Sequence, residues 1–273
     1  MTRCLELLDV EKSYLTGQQR VSALDKVSFD IHHNEFVSII GPTGCGKSTL
    51  LKLIAGIDNP TSGEIRLHGE KIRAPHPKIS MMFQSFALFP WRTSLENIEY
   101  GLEVQGVDSV ERRRISKTLI ELVGLRGHEQ WYPKELSGGM KQRVGLARAL
   151  ATDPEIVLMD EAFSALDEFT AGVLRAEVEE LWKETGKTFV LVTHNLMEAL
   201  ELADRIIVLT AGPSKVKTNV HVELDRPRKK SDSKFVKFQR DLYKLLKEEV
   251  ENTLIRHKLR SVHEHSSIAD MEG

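Results

Sequence analysis

A chain of 273 residues, 41% hydrophobic and 29% charged, can bury a substantial core as one large domain or two small ones. Its longest uninterrupted apolar runs are four residues (Phe86–Phe89, Ile156–Met159, Phe189–Val192 and Ile206–Leu209), against the roughly 20 needed to cross a bilayer, so no membrane span is expected. Two cysteines, Cys4 and Cys45, exclude a disulfide framework and are too few for a thiolate-built structural zinc site.

The formal net charge of −2 is unevenly divided: residues 1–225 hold 26 Lys and Arg against 32 Asp and Glu, while residues 226–273 hold 12 against 8. An acidic body does not suit the broad phosphate neutralisation on which nucleic-acid binding depends, so no nucleic-acid partner is expected. The opening segment mixes acidic with apolar residues, which predicts neither a signal nor a transit peptide, and cytosolic residence is the expectation.

Taken in chain order, short β-rich runs alternate with helical patterns, the arrangement that builds a parallel α/β sheet. The segment 23–31 reads as antiparallel strand. The run 36–40 reads as a buried strand. The stretch 64–83, punctuated by Pro60, Gly63, Gly69, Pro75 and Pro77, reads as further short antiparallel strands in a separate β layer. Residues 94–152 turn helical: Thr93 to Glu96 and Asp108 to Glu111 both have capping-box spacing, and Ile115, Leu119, Leu122 and Val123 fall on one helical face that stops at Gly124. Buried strands are expected at 156–159, 189–193 and 206–210, and a helix over about 168–184 ending before Gly186. Beyond Asp225, Phe235, Phe238, Leu242, Leu245 and Leu246 predict an amphipathic helix packed on the body. His257, His263 and His265 lack metal-site spacing and are read as part of a frayed, solvated tail.

The chemistry enters at Gly41-Pro42-Thr43-Gly44-Cys45-Gly46-Lys47-Ser48, a GxxxxGK[ST] motif between an apolar strand and an amphipathic helix. Glycines let successive N–H groups curl inward at a helix N-terminus, whose positive dipole end favours phosphate. Lys47 would reach the β- and γ-phosphates of ATP, and Ser48 would place its hydroxyl on Mg²⁺. Cys45, inside this loop, is read as a small residue chosen for fit. The alternative is a thiol activated by the helix N-terminus. The run 156–159 ends in Asp160-Glu161, and adjacent strand residues point to opposite sides, so Asp160 can face Mg²⁺ while Glu161 faces an attacking water.

These residues resemble the ATP-binding subunits of ABC transporters. Leu136-Ser137-Gly138-Gly139-Met140-Lys141-Gln142-Arg143 is similar to that family's signature, Tyr14 to its adenine-stacking aromatic, Gln84 to its Q-loop, Ser164 to Asp167 to its D-loop and His194 to its switch histidine. The resemblance covers residues 3 to about 225. It implies an α/β P-loop NTPase fold with a mostly parallel core sheet, an antiparallel β subdomain and an inserted helical subdomain at about 85–152, all within an ATPase domain at 1–225. A basic helical extension at 226–273 follows.

The resemblance further implies ATP hydrolysis with Mg²⁺. Glu161, His194 and Gln84 would be catalytic and Ser48, Gln84 and Asp160 would hold the metal. Residues 41–48 with Tyr14, Thr49, Ser137, Gly138, Gly139 and Asp167 would bind nucleotide across a head-to-tail dimer of two copies. The implied partners are two transmembrane permease subunits and, indirectly, a solute-binding protein, which places the chain peripherally on the cytoplasmic side of the cell membrane. The segment 84–92 and Arg226-Pro227-Arg228 resemble the importer branch for nitrate, sulfonates and taurine, with Phe86 and Trp91 at the permease groove and Leu88 in the core. A soluble ABC ATPase acting on a macromolecular complex is the alternative. Three positions depart from the family pattern: Met140 stands for Gln, Ala162 for Pro, and Asn34 for Gly.

Overall fold

The computed structural model describes residues 2–17 and 19–269, with side chains described through residue 251. In chain order the first elements are β1 (Arg3–Thr16), β2 (Gln19–His32), β3 (Phe36–Ile40), α1 (Lys47–Ile54), β4 (Ser62–Leu67), β5 (Glu70–Lys71) and β6 (Ile79–Met82). Then follow α2 (Ser94–Val104), α3 (Ser109–Leu122), α4 (Gly138–Ala151), β7 (Ile156–Asp160), α5 (Glu168–Thr185), β8 (Thr188–Thr193), α6 (Leu196–Leu202), β9 (Arg205–Leu209), β10 (Val216–His221) and α7 (Ser233–Ala269).

Six strands form the core sheet in the order β10-β9-β3-β8-β7-β6, parallel throughout except for β10. Successive strand residues point to opposite faces, so each short apolar run feeds two cores. Val157 and Met159 pack with α4, α5, α6 and α7 on one face, while Ile156 and Leu158 pack with α1 and the second sheet on the other. That second sheet is antiparallel, ordered β2-β1-β4-β5. A third cluster joins α2, α3 and α4 through Leu95, Ile98, Leu102, Ile120, Val144 and Ala147.

The α/β reading of the sequence holds, and four local expectations need correcting. β6 leaves the antiparallel layer and runs parallel to β7, pairing Ile79 with Ile156 through to Met82 with Met159 at the edge of the core sheet. β1, which periodicity does not reveal, pairs with both β2 and β4, with register shifts around Asp9, whose φ of 46° breaks the alternation and leaves Leu8 exposed. In α3 the buried position is Ile120, not Leu122, which is 43% exposed. Asp108 caps α3 as expected, but Glu111 turns to Arg114 at 2.6 Å instead of completing a box, whereas Thr93 and Glu96 complete theirs on α2.

Around the aromatic segment, Trp91 is 71% exposed and Leu88 packs into the α2–α4 cluster, but Phe86 turns inward against the main core and does not join Trp91 at the surface. Asn34 sits at φ 60°, a left-handed backbone that asparagine tolerates better than most side chains. Along α7, Phe235, Leu242 and Leu246 are buried in the main core, so the C-terminal helix packs on the body. Just before it, Arg226 and Arg228 donate to carbonyls of Leu200, Leu202 and Ala203, satisfying the free C-terminal end of α6 with positive charge, as the helix dipole favours. His257, His263 and His265 lie beyond the described side chains.

Candidate active site

The phosphate loop joins β3 to α1. Gly46 is the N-cap of α1 at φ 106°, a conformation open to glycine, and makes no side-chain cap, so the first N–H groups of the helix are left for a ligand. A Cβ at Gly46 would lie 3.0 Å from Leu24 Cδ2 and 3.1 Å from the Ala23 carbonyl, because β2 forms the floor of the loop. Pro42 is buried and Thr43 and Gly44 are exposed, while Thr49 is half-buried. Lys47 is buried, and its ammonium donates to the carbonyls of Gly41 and Pro42 at 2.9 Å each, folding the cation back over the loop. Cys45 is buried, and burial pushes its thiol pKa up against the opposing Lys47 charge.

Ser48 Oγ donates to Asp160 Oδ1 at 2.9 Å. Asp160 ends β7 and is 6% exposed; burial, and then the neighbouring Glu161 charge, raise its pKa against the opposing Ser48 hydrogen bond. A hydroxyl and a buried carboxylate, side by side, are hard oxygen donors of the kind Mg²⁺ takes, so this pair fits that ion.

One residue on, the chain turns sharply. Glu161 is at φ 46°, which costs a non-glycine residue about 1–3 kcal/mol. The turn is held by the Glu161 N–H on the Val192 carbonyl at 2.8 Å and by Ser164, whose N–H and Oγ both donate to the Glu161 carbonyl. Ala162 in place of proline therefore leaves the turn tied at three points. Gln84 Nε2 donates to Glu161 Oε2 at 3.1 Å, and His194 Nδ1 lies 3.2 Å from Oε1. The fold thus brings Gln84, Glu161 and His194 together from the ends of three strands, β6, β7 and β8.

Tyr14 stands on β1 with its hydroxyl donating to Asp58 at 3.0 Å. Burial raises its pKa, against a hydrogen bond to Thr49 on α1. The signature residues are elsewhere. Ser137 caps α4, accepting from Met140 N–H at 3.3 Å, and is exposed. The closest neighbours of a Cβ at Gly138 and Gly139 are Leu166, just before α5, and Thr170, in its first turn, not the phosphate loop. Asp167 caps α5 through Thr170 N–H at 3.0 Å. Within one chain, therefore, Ser137, Gly138, Gly139 and Asp167 do not join the other site residues.

Three positioning residues lie outside the motifs read from the sequence. Ser214, fully buried in the β9–β10 connection, donates its hydroxyl to the Cys45 carbonyl and braces the loop from below. Arg148, on α4, donates to the Phe86 and Ala87 carbonyls at 2.6 and 2.7 Å, where both residues have positive φ, and so fixes the loop after Gln84; its own pKa is lowered by burial. Glu198, buried, accepts from Thr193 Oγ1 at 2.6 Å and from Asn195 Nδ2 at 3.3 Å on either side of His194. Ser214 and Arg148 act across long distances in sequence, which no local pattern shows, whereas the spacing of Asn195 and Glu198 at the start of α6 is a local signal that could have flagged Glu198.

The family model described as ABC transporter matches residues 24–164. The chain belongs to the ABC transporter family. An uncharacterized ABC transporter ATP-binding protein of Methanocaldococcus jannaschii is 44% identical over 250 residues, 92% of this chain and 94% of the relative. The aliphatic sulfonates import ATP-binding protein SsuB of Bacillus cereus is 42% identical over 83% of this chain and 89% of its own length. The bicarbonate transport ATP-binding protein CmpC of Synechococcus elongatus is 45% identical over 82% of this chain but only 34% of its own length. Among solved structures, an ATP-binding cassette in a dimeric post-hydrolysis state bound to ADP and phosphate superposes with a TM-score of 0.73 at 35% identity, covering 81% of this chain and all of that one. As an ABC protein of the importer type, the chain binds ATP and is an ATPase.

Proposed function

We propose that this chain is the ATP-hydrolysing subunit of an importer for a small anion such as nitrate, a sulfonate or taurine, working as a dimer of two copies beneath two permease subunits served by a solute-binding protein. The observation that carries the dimer is the separation, within one chain, of the phosphate loop from the signature glycines Gly138 and Gly139, whose nearest neighbours are Leu166, just before α5, and Thr170 in its first turn. A second copy turned head to tail would supply the missing half. Asp167, beside the signature glycines at the start of α5, would then border both sites.

In this reading Tyr14 stacks on adenine, while residues 41–49 cradle the phosphates and Lys47 leaves its two carbonyls for them. Ser48 and Asp160, with Gln84, would hold Mg²⁺, which when bound would neutralise charge building on the phosphates. Glu161 accepts the proton of the attacking water, and His194 orients that water from the far side of the carboxylate. Trp91, exposed beside Phe89 at a ring distance of 5.6 Å and next to α2, offers an aromatic surface for a short helix of the permease. No described helix is long and apolar enough to cross a membrane, which agrees with peripheral attachment on the cytoplasmic side. The names of the relatives, with sulfonate and bicarbonate as cargo, support the small-anion class.

The test is uptake of labelled nitrate, sulfonate, taurine and bicarbonate by cells lacking this chain, complemented with wild type or Glu161→Gln. Loss of uptake for one anion, restored only by wild type, is expected. Normal uptake of all four without the chain would overturn the anion assignment, and ATP hydrolysis by a protein that stays monomeric throughout turnover would overturn the dimer.

A further inference from the structure

At the opposite edge of the core sheet, where β3, β7 and β8 begin, four segments distant in sequence converge. Cys4 Sγ, a ring nitrogen of His33 and a carboxylate oxygen of Glu155 all lie within 4.8 Å of one another. His33 Nδ1 is 3.2 Å and His68 Nε2 2.8 Å from Glu155 Oε1, and the two imidazoles stack with centroids 5.3 Å apart. Glu155 Oε1 is itself buried and has no conventional hydrogen-bond partner. Glu155 Oε2, by contrast, shares a 2.8 Å hydrogen bond with His68 Nε2 and lies 3.4 Å from Lys78 Nζ, while Cys4 Sγ has Thr188 Oγ1 at 4.0 Å and the Ile31 carbonyl at 3.4 Å.

The backbone holds this arrangement in place before any ligand arrives. His68 N–H donates to the Cys4 carbonyl at 2.8 Å, His33 N–H to Thr2 at 3.0 Å, Glu155 N–H to Lys78 at 2.8 Å and Thr188 N–H to the Glu155 carbonyl at 3.0 Å. Zinc bonds of about 2.0–2.1 Å to nitrogen and oxygen place tetrahedral ligand atoms about 3.3 Å apart, close to the His33–Glu155 separation. The cluster opens to solvent through the partly exposed His33, His68 and Glu155 side chains, next to a cleft of about 310 Å³.

We propose that Cys4, His33 and Glu155 form a three-donor binding site for a zinc-class divalent transition metal, with the fourth position left to water. One thiolate, one imidazole and a carboxylate suit a borderline-soft ion and not Mg²⁺ or Ca²⁺. Binding displaces the Cys4 thiol proton to solvent and ties β1 and the turn after β2 to the start of β7. Such a site escapes the cysteine count, because its ligands stand at 4, 33 and 155 and only the fold collects them. It lies at the amino end of β7, whose five residues separate it by about 16 Å from Asp160 at the carboxyl end, so it is independent of the nucleotide site.

The test is a titration of the full-length protein, free of any affinity tag and kept reduced, with Co²⁺ as a spectroscopic stand-in for Zn²⁺. One equivalent of Co²⁺ giving a thiolate-to-cobalt charge-transfer band, displaced by Zn²⁺, is expected. Cys4→Ser should abolish the band, and His33→Ala, at a half-exposed position that the fold tolerates, should weaken Co²⁺ binding about tenfold or more. Zn²⁺ should also raise the melting temperature of wild type and not of His33→Ala. Absence of a charge-transfer band, or a full band retained in Cys4→Ser or unchanged affinity in His33→Ala, would overturn the site and leave the cluster as an ion-paired network around Glu155.

Discussion

Ser48 and Asp160 stand 112 residues apart in the chain and share a hydrogen bond of 2.9 Å. That contact joins the first turn of α1 to the end of β7, and it puts the hydroxyl of the phosphate loop on a buried carboxylate. Burial holds that carboxylate at a cost, since its pKa is raised. A cation placed between the two groups would relieve the cost.

Asp160→Asn should therefore raise the Mg²⁺ concentration needed for hydrolysis by at least the ~10–100-fold that follows loss of even an outer-shell partner of a metal. ATPase rate measured against free Mg²⁺ checks this. The pH dependence follows from the direction of the shift. A raised native pKa means that protons compete for Asp160 at higher pH than for an ordinary aspartate, so apparent Mg²⁺ affinity should fall as pH drops through that raised value. In the metal-free protein the sign is opposite for stability: the native state keeps the proton longer, so stability declines as pH rises from the ordinary aspartate pKa through the raised native one.

Glu161→Gln keeps the size of the side chain and its hydrogen bond with Gln84 but removes the proton acceptor. Hydrolysis should fall about 10²–10⁴-fold, with ATP affinity unchanged. In the presence of ATP the variant should elute as a dimer on size exclusion. Phosphate release at the wild-type rate would remove Glu161 from the role of base.

Arg148→Ala strips two charge-assisted hydrogen bonds from the Phe86 and Ala87 carbonyls, each worth about 1.5–3 kcal/mol. The loop that follows Gln84 should loosen, lowering kcat more than it raises KM. A urea midpoint separates this from general unfolding, since a lowered kcat measured where the variant is still fully folded isolates the positioning effect. Arg148→Lys should rescue only in part, because an ammonium cannot span both carbonyls as a planar fork does.

Ser214→Ala removes a buried hydroxyl donor from the Cys45 carbonyl under the phosphate loop. The expected loss is about 1–3 kcal/mol, appearing both as a lower melting temperature and as weaker ATP binding by calorimetry. Unchanged ATP affinity would assign the brace to stability alone.

The sequence by itself determined the chemistry that depends on neighbours in the chain. The phosphate loop, the Asp160-Glu161 pair at a strand end and the Ser137 cap are local: each needs one turn and a few residues of known spacing, and the structure places them at a helix N-terminus, a sheet edge and a helix N-terminus. The apolar runs of β3, β7, β8 and β9 were equally legible because strands buried on both faces are nearly continuous in apolar residues, with only Ser38 interrupting β3. What the tertiary structure alone decided is convergence. Gln84 and His194 meet Glu161 because β6, β7 and β8 are adjacent and parallel, and the membership of β6 in that sheet is set by pairing with β7, which no local pattern encodes. Met82 and Phe86 are both apolar and close in sequence, yet one ends an edge strand and the other turns back to the core on a left-handed backbone that Arg148 holds. The Cys4, His33 and Glu155 cluster goes furthest in this direction, since long-range backbone pairing assembles donors whose spacing in the chain carries no signal.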